Sequence, residues 1–582
     1  MKSLMYWNNG GSKMKNDAQV IAVMPNKIKI SVGDIEDFKK AEDNFAVGSY
    51  LRVSDSKDCA IIAMVENFSI EKIDGSDDRK YIIEAVPIGF LDSTGKFQRG
   101  GNNIAIPPTG VEPAHMEEIQ AIYNQIEENK KFKFCHLRQN SKIEVPVDGD
   151  KFFNKHFAIV GSTGSGKSHT VAKILQNVKS EKNATYNGLN NSHIIIFDIH
   201  SEYKKAFPDS NYIDVSDLKL PYWLMNGEEL EEIFVESGEN QAYNQISLLR
   251  RLITRNKQNK NLENQDISFD TAVQFSIQEV LSALINLGKE TRSAKDNDEI
   301  AIKDNKKKYP TDENKYDEYF VNTYEFEEQK NGSISKGTYN DGSLDKFISR
   351  IRNKIYDKRL GFLFGKDVVD MKLEDVLRQL LGYTELKNNI TIFDLSGVPF
   401  EVLSITVSLI SRLLFECGYY LKQINGKDCV APLLLVYEEA HKYVPKMNDA
   451  KYNSSRVAIE RIAKEGRKYG VTLAIVSQRP SEISETIFSQ CSNFVVMRLT
   501  NPQDQSYVKR LLPDSLGEMT DSLPALGSGD ALIIGDSIIM PSVIKMDRCN
   551  PEPDSNDIDY FQEWKKPWRD FGFAEVIQKY EQ

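Results

Sequence analysis

The chain has 582 residues, of which 40% are hydrophobic and 27% charged, and its formal net charge at pH 7 is −11. This length exceeds one ordinary domain and predicts two to four, and the hydrophobic content argues against a disordered chain. The acidic balance argues against a protein that coats nucleic acid, but it is compatible with a local basic surface such as a channel lining.

The cysteines and the hydropathy pattern indicate a reduced, soluble protein. None of the scattered cysteines forms a C-x-x-C pair, so we expect neither a zinc site nor a disulfide framework. The N-terminus lacks the apolar core of a signal peptide, and no run reaches the roughly 18 apolar residues of a membrane span. We therefore expect a cytoplasmic protein with no membrane partner.

Residues 1–145 are predicted to form a small β-barrel or sandwich. Short segments rich in β-branched residues, such as VIAVMPNKIKISVG and CAIIAMVENFSI, are separated by Gly, Asp and Ser turns.

The pattern changes near residue 146. Compact apolar segments, including HFAIV, HIIIFDI, PLLLVYEEA and VTLAIVSQ, alternate with amphipathic helical ones. This alternation predicts an α/β core with a mainly parallel sheet covered on both faces, over residues 146–225 and 386–545. Residues 226–385 interrupt the core as a helical insertion, with flexible parts in the polar section 288–342. Residues 546–582 form a tail that ends in a predicted helix.

The strongest local signal is a phosphate-binding loop between an apolar strand and a helix. The segment GSTGSGKS matches G-x-x-x-x-G-K-S. Its glycines let backbone N–H groups surround phosphate oxygens, Lys167 supplies charge to the β- and γ-phosphates, and Ser168 ligates Mg²⁺. A Gly/Ser turn without a ligand is disfavoured by the flanking strand and helix. The predicted ATP-binding residues are Gly161, Ser162, Thr163, Gly164, Ser165, Gly166, Lys167, Ser168 and His169.

An acidic pair follows another apolar strand in PLLLVYEEA. Open α/β sheets bind their ligands at the carboxyl ends of the strands, so this pair is expected beside the loop. We expect Glu438 to hold Mg²⁺ through water and Glu439 to polarise the attacking water. The alternative is a pair of solvated acids that cap a strand.

Two further strand ends carry polar residues. Gln478, which follows VTLAIVS, is placed to sense the γ-phosphate, or is only a polar strand exit. Asp198, His200 and Glu202 in FDIHSEY either face the nucleotide or stabilise a turn.

Taken together, these segments resemble the HerA family, hexameric DNA-translocating ATPases with a RecA-like core that are related to FtsK. The matching pieces run in family order over roughly residues 150 to 545, and VGSYLRVSD resembles the family's N-terminal barrel. The chain departs from the family in FDIHSEY, where a DPHGEY-like turn is usual, and in its unmatched polar insertion. The matching pieces are HFAIVGSTGSGKS, FDIHSEY, LPYWLMN, FDLSGVP, YEEAHKYVP, EGRKYGVTLAIVSQRP and LGSGDALI.

The resemblance implies a homohexamer with nucleotide between neighbouring subunits, and therefore a cation donated in trans. Arg467 in EGRK is the first candidate for this catalytic finger and Arg461 the second. The alternative is ordinary helix pairing, since Arg461 and Glu465 have i,i+4 spacing.

The resemblance also implies double-stranded DNA and an effector protein as partners. Bacterial relatives resemble two-gene antiviral systems that pair the motor with a nuclease or a sirtuin-like NAD-consuming protein. The basic runs RNKQNK and KDNKKK are candidate DNA contacts, although such runs are usually solvated faces. Besides a DNA motor, the sequence leaves open an ATP-dependent scaffold that organises an effector without net movement. A small-molecule kinase is disfavoured because we recognise no lid or acceptor pocket.

Overall fold

The computed structural model describes residues 18–24, 27–33, 45–54, 60–72, 79–100, 109–180, 190–235, 242–263, 266–303, 305–385, 387–426, 428, 431–446, 453–511, 514–555, 558–569 and 572–581. Within these ranges no helix is both long enough and apolar enough to cross a membrane. The four cysteines that fall in these ranges are free, and three of them are buried. Cys59 and Cys429 lie outside the described residues.

The N-terminal region folds as a curled antiparallel sheet. Its strands pair in the order β1-β2-β5-β4-β3-β7, with β6 beside β5. Val20 N donates to Thr109 O at 2.9 Å and Val111 N to Ala18 O at 3.2 Å, which brings the first strand against the last and confirms the predicted barrel. Helix α1 (Met116–Tyr123) follows. The strands are β1 (Gln19–Val23), β2 (Ile28–Val32), β3 (Tyr50–Ser54), β4 (Ala60–Lys72), β5 (Arg79–Leu91), β6 (Phe97–Arg99) and β7 (Val111–Pro113).

A larger sheet of eleven strands starts with the residues after α1. The short pair β8 and β11 flanks its first strands. The first elements are β8 (Lys131–Phe132), β9 (Cys135–Leu137), β10 (Asn140–Glu144), β11 (Val147–Asp148), α2 (Gly149–Phe153), β12 (His156–Val160), α3 (Lys167–Ser180), β13 (His193–Asp198) and β14 (Asn211–Ile213).

The residues between β14 and the next strand of the large sheet form the insertion, which contains eight helices in its described part. It also contains a four-stranded antiparallel sheet in the order β17-β16-β15-β18. Its elements are α4 (Gly227–Phe234), α5 (Ala242–Lys260), α6 (Ile277–Lys289), β15 (Thr291–Ser293), β16 (Glu299–Ile302), β17 (Asn305–Lys308), α7 (Asp312–Val321), β18 (Ile334–Lys336), α8 (Asp345–Tyr356), α9 (Gly361–Phe364), α10 (Lys366–Val369) and α11 (Leu373–Leu380).

The small sheet lies in the polar section of the insertion, where the sequence predicted flexible parts of a mostly helical segment. Its polar residues are held by one another. The carboxylate of Glu290 is buried, accepts a hydrogen bond from Tyr319 Oη at 2.9 Å, and lies 2.8 Å from a guanidinium nitrogen of Arg292. The hydrophilic composition of this section is therefore compatible with regular structure, because its buried polar groups have hydrogen-bond and ion-pair partners.

The remaining elements complete the large sheet and the tail. They are β19 (Ile390–Asp394), α12 (Phe400–Asn425), β20 (Leu433–Tyr437), α13 (Ser454–Glu465), β21 (Val471–Ser477), α14 (Glu485–Gln490), β22 (Cys491–Met497), α15 (Pro502–Leu511), β23 (Asp530–Gly535), β24 (Ser542–Met546), α16 (Tyr560–Trp564) and α17 (Phe573–Glu581). The last of these is the helix predicted at the end of the tail.

The large sheet has the order β10-β9-β24-β23-β22-β12-β21-β20-β13-β19-β14. From β22 to β14 all neighbours are parallel, and every residue of β12, β13, β20 and β21 is buried, as predicted for strands covered on both faces. The other strands extend it antiparallel. Strands β9 and β10 precede residue 145, so this sheet includes residues that the sequence pattern assigned to the barrel.

The strand order positions the functional site. Strand β12 carries the phosphate loop at its carboxyl end and lies between β21 and β22, and β20, which carries the acidic pair, is next beyond β21. The carboxyl ends of these parallel strands meet at one edge of the sheet.

Candidate nucleotide site

The phosphate loop is held between the ends of two neighbouring strands. Gly161 N donates to Ser477 O at 3.2 Å on the β21 side. Ser162 N donates to Arg498 O at 2.7 Å on the β22 side. These bonds fix the loop in an open curve from which helix α3 continues, starting at Lys167. A loop of this kind followed by a helix N-terminus is suited to surround phosphate oxygens with backbone N–H groups, as the sequence predicts.

Two of the loop glycines are required by the backbone conformation. Gly164 has φ +71° and Gly166 has φ +103°, values that side-chain-bearing residues rarely adopt. Gly161 is required by space, because a Cβ there would lie 2.6 Å from Ser165 Oγ and 2.8 Å from Met497 Cβ. The spacing of glycines in the motif therefore has a steric cause in this fold.

Lys167 is buried at the start of α3, with 8% of its surface exposed. Its positive charge favours the ionised form of both glutamates of the acidic pair and so opposes the effect of their burial. The structure thus brings the predicted lysine and the predicted acids to one place.

Glu438 is the buried member of the acidic pair. Tyr203 Oη donates to Glu438 Oε2 at 2.7 Å. Burial raises the pKa of Glu438 to about 8, helped by the nearby charges of Glu439 and Glu202 and opposed by Tyr203 and Lys167. A carboxyl group in this environment takes up a proton unless a cation neutralises it.

Glu439 differs from its neighbour in conformation and charge. Its backbone is left-handed, with φ +49°, which is uncommon for a glutamate and marks a constrained position. Burial acts to raise the pKa of Glu439, but His441 and the charge of Lys167 outweigh it, so this pKa lies below its usual range. Glu439 Oε2 lies 3.2 Å from His441 Nδ1 and accepts from Gln478 N at 3.4 Å. The two acids are therefore not equivalent.

The residues present fit a magnesium ion bound together with nucleotide phosphates. In the described part of the chain, no group of three or more His, Cys, Asp or Glu is placed to hold a metal ion by itself. Mg²⁺ in nucleotide sites needs only one or two protein ligands, because phosphates and waters complete its octahedron. The hydroxyl of Ser168 and the buried carboxyl of Glu438 supply the expected donor types. A bound Mg²⁺ would neutralise phosphate charge and orient the phosphates.

Gln478 connects the loop to the acidic pair. Thr163 Oγ1 donates to Gln478 Oε1 at 2.7 Å, and the backbone N–H of Gln478 reaches Glu439. This arrangement is more specific than a polar strand exit, since one residue contacts both the phosphate loop and an acid.

The turn after β13 is stabilised by Asp198, which is one of the two roles that the sequence left open for the polar residues of FDIHSEY. Asp198 accepts hydrogen bonds from the N–H groups of His200 at 3.1 Å and Tyr203 at 3.0 Å, so it stabilises the turn. The turn in this way presents Tyr203 to Glu438. Glu202 has a buried Oε2 without a hydrogen-bond partner among the described residues. Sequence reasoning missed Tyr203, and the only signal was its place in FDIHSEY.

The remaining loop residue, His169, faces the tail. His169 Nδ1 lies 3.4 Å from Ser555 Oγ, and His169 Nε2 lies 3.9 Å from Glu552 Oε2. Nearby, Asp554 N donates to Glu202 O at 2.8 Å. The tail segment after β24 therefore spans from the phosphate-loop helix to the turn after β13.

The two candidate finger arginines lie away from this site. Arg467 is in the short turn before β21, at the amino edge of the sheet, and it is exposed. Arg461 lies 4.0 Å from Glu465 and stacks over the ring of Phe415 at 5.0 Å. Arg461 thus shows the helix pairing weighed for it, whereas no ion pair of Arg467 occurs in the described ranges.

The cations of both basic runs considered for DNA contact have partners within the insertion. In the first, Arg255 binds Asp317 and the ammonium of Lys257 is buried against the carbonyls of Phe269 and Thr271. In the second, each lysine of β17 pairs with an acid: Lys306 with Glu299, Lys307 with Glu318 and Lys308 with Asp296. These runs are therefore explained by the structure of the insertion.

Comparisons with known proteins identify related helicases. Residues 132–414 match the family model of the helicase HerA central domain. A probable helicase of Methanocaldococcus jannaschii is 24% identical over 79% of this chain and 75% of that protein. The DNA double-strand break repair helicase HerA of Saccharolobus solfataricus is 25% identical over 79% of this chain and 77% of that protein.

Among solved structures, VirB4 of Thermoanaerobacter pseudethanolicus matches with a TM-score of 0.45 and 12% identity, over 73% of this chain and 98% of that chain. The family match covers the phosphate loop, the insertion and part of α12, and the relatives extend the similarity to most of the chain. The chain is therefore similar to HerA helicases over most of its length, and it carries the nucleotide site of a P-loop ATPase.

Proposed function

We propose that this protein is a ring motor that uses ATP hydrolysis to translocate on, or unwind, double-stranded DNA. In the proposed cycle Lys167 and the loop bind the phosphates, Ser168 and Glu438 hold Mg²⁺, and Glu439 polarises the attacking water. Gln478 senses the γ-phosphate through its contacts with Thr163 and Glu439. Arg467 of the neighbouring subunit stabilises charge on the transferred phosphoryl group.

The observation that carries the ring proposal is the position of Arg467. Strand β21 is seven residues long, so its two ends are roughly 20 Å apart at about 3.3 Å per residue. Arg467 precedes this strand and the phosphate loop lies beyond its far end, so the guanidinium is too distant to serve its own subunit. In the proposed ring, which a head-to-tail interface closes, the amino edge of one subunit faces the nucleotide of the next. We propose six subunits.

Double-stranded DNA is the proposed track. The support is the relatives' own names, since one is called a probable helicase and another a DNA double-strand break repair helicase. Because the basic runs of the insertion have partners within the insertion itself, we propose that the DNA contacts of the motor lie elsewhere in the ring. Phosphate contacts without base contacts suit a motor that must move over any sequence.

We further propose that an effector protein, a nuclease or an NAD-consuming enzyme, acts with the ring in antiviral defence or DNA processing. The ground for this proposal is the family resemblance of the motifs. Copurification of the product of the neighbouring gene with the tagged chain tests it.

A triplex-displacement assay tests the motor. A third DNA strand is annealed at increasing distances from the end of a duplex, and its release is timed with ATP. We expect a lag that grows with distance and no release by Lys167→Ala or with a non-hydrolysable ATP analogue. DNA-stimulated ATP turnover without release, with and without the copurified partner, would contradict translocation and favour the scaffold.

A further inference from the structure

Arg498 lies just beyond the strand that flanks the phosphate loop on the side away from the acidic pair. It follows β22 directly, and its carbonyl accepts the N–H of Ser162 at 2.7 Å. Two residues on, Thr500 N donates to Ser162 Oγ at 3.1 Å. The backbone of Arg498 is thus fixed against the loop by the same residues that shape the loop.

The side chain of Arg498 reaches the loop but has no partner there. Its Nη2 lies 3.8 Å from the position that a Cβ on Gly164 would take. Its Nε is buried and makes no hydrogen bond to any residue in the described ranges. A guanidinium keeps its charge in proteins, and a buried donor without an acceptor is unfavourable, so this position is suited to an anion.

The strand order indicates which part of a bound nucleotide would lie beside the guanidinium of Arg498. Strand β12 separates β22 from β21 and β20. Gln478 and Glu439, which lie on the β21 and β20 side, mark the end where the attacking water approaches. Arg498 lies on the opposite flank, beside the middle of the loop. An anion there belongs to the part of ATP that ADP retains.

We propose that Arg498 binds the α- and β-phosphates of the nucleotide in cis. Its planar fork of N–H donors forms two parallel bonds to phosphate oxygens, which a lysine cannot reproduce. Because the contact is made equally with ATP and ADP, it contributes uniform binding: its loss raises KM and leaves kcat largely unchanged. This distinguishes Arg498 from Arg467, whose loss acts on kcat. The inference rests on the nucleotide site of the proposed function.

The experiment measures nucleotide affinity of the full chain without DNA, by calorimetry with Mg²⁺ and either ADP or a non-hydrolysable ATP analogue. Arg498→Gln is expected to weaken both ligands by the same factor, roughly tenfold or more, as for a hydrogen bond to a charged group. Arg498→Lys, which keeps the charge, should be intermediate. Arg378→Gln removes an exposed arginine paired with Glu374 at 2.9 Å and is the matched control, with unchanged affinity. Steady-state ATPase should show a higher KM and a kcat within about threefold of wild type.

Three results would overturn the proposal: unchanged affinity in a folded Arg498→Gln, loss confined to the ATP analogue, or a fall in kcat at unchanged KM. If Arg498→Gln does not fold, full wild-type affinity of Arg498→Lys for both nucleotides overturns the fork-like contact. Wild-type protein that binds neither nucleotide would refute the proposed function itself. Normal wild-type binding with an unaffected Arg498→Gln refutes only the role of Arg498.

Discussion

Replacement of Glu439 by glutamine removes the carboxylate that we propose polarises the attacking water. Both contacts described for this carboxylate fall on Oε2, which faces His441 Nδ1 at 3.2 Å and Gln478 N at 3.4 Å. Glutamine has the same length, and its single carbonyl oxygen can keep these contacts, so the fold and ATP binding should survive. What is lost is the second acceptor oxygen, which is free to orient and polarise water, together with the negative charge.

Loss of a positioned base typically slows a reaction by 10² or more, so we expect kcat of Glu439→Gln to fall at least about a hundredfold. A hundredfold loss corresponds to about 2.7 kcal/mol of transition-state stabilisation. Phosphate release measures kcat, and calorimetry with the non-hydrolysable analogue checks that binding is retained. The matched variant Glu438→Gln, at the adjacent buried acid, should instead raise the Mg²⁺ concentration needed for turnover. If the two variants behave in the opposite way, the roles are exchanged; wild-type turnover in Glu439→Gln would refute the assignment.

Three further predictions follow from the same structure. Lys167→Ala should abolish ATP turnover while the ring stays assembled, because its charge acts on phosphates; turnover at the wild-type rate would refute this. Mass photometry at micromolar concentration should find hexamers, and monomers alone under all nucleotide and partner conditions would argue against the ring. Burial lowers the pKa of His156 to about 4 from its usual 6.5, so the unfolded chain binds the proton first and stability should fall as pH drops from 6.5 to 4. The loss approaches about 3 kcal/mol, and thermal unfolding should show a shallower pH dependence in His156→Gln.

The buried strands and the phosphate loop were predictable because each carries its signal locally. HFAIV and VTLAIVS are short, almost wholly apolar segments, as expected of strands in a sheet covered on both faces. The glycines at 164 and 166 have positive φ, so the motif records a backbone requirement that few other residues meet. The position of the acidic pair was predictable as well, because it directly follows an apolar strand and parallel strands end at the same edge of the sheet.

Features that depend on distant residues were not predictable. The hydrogen bond between Tyr203 and Glu438 joins residues 235 positions apart, and no local sequence pattern predicts it. The small sheet of the insertion pairs its charges internally, as Arg292 does with the buried Glu290, so a hydrophilic composition that is typical of a loop forms a sheet here. Strand β9 has only three residues and joins the large sheet through β24, near the other end of the chain.

The central claim is that each ATP site is shared by two subunits, and mixed rings test it most directly. Arg467→Ala retains an intact loop, and Lys167→Ala retains an intact Arg467, so each should be inactive alone. In rings formed by random exchange of equal amounts, about one interface in four joins an intact loop to an intact arginine, which predicts recovery of about a quarter of the wild-type ATPase rate if sites act independently. Arg461→Ala, which removes the pair with Glu465 and the contact with the Phe415 ring, should stay active. Near-wild-type turnover by Arg467→Ala alone, or no recovery on mixing despite confirmed exchange of subunits, would contradict the account.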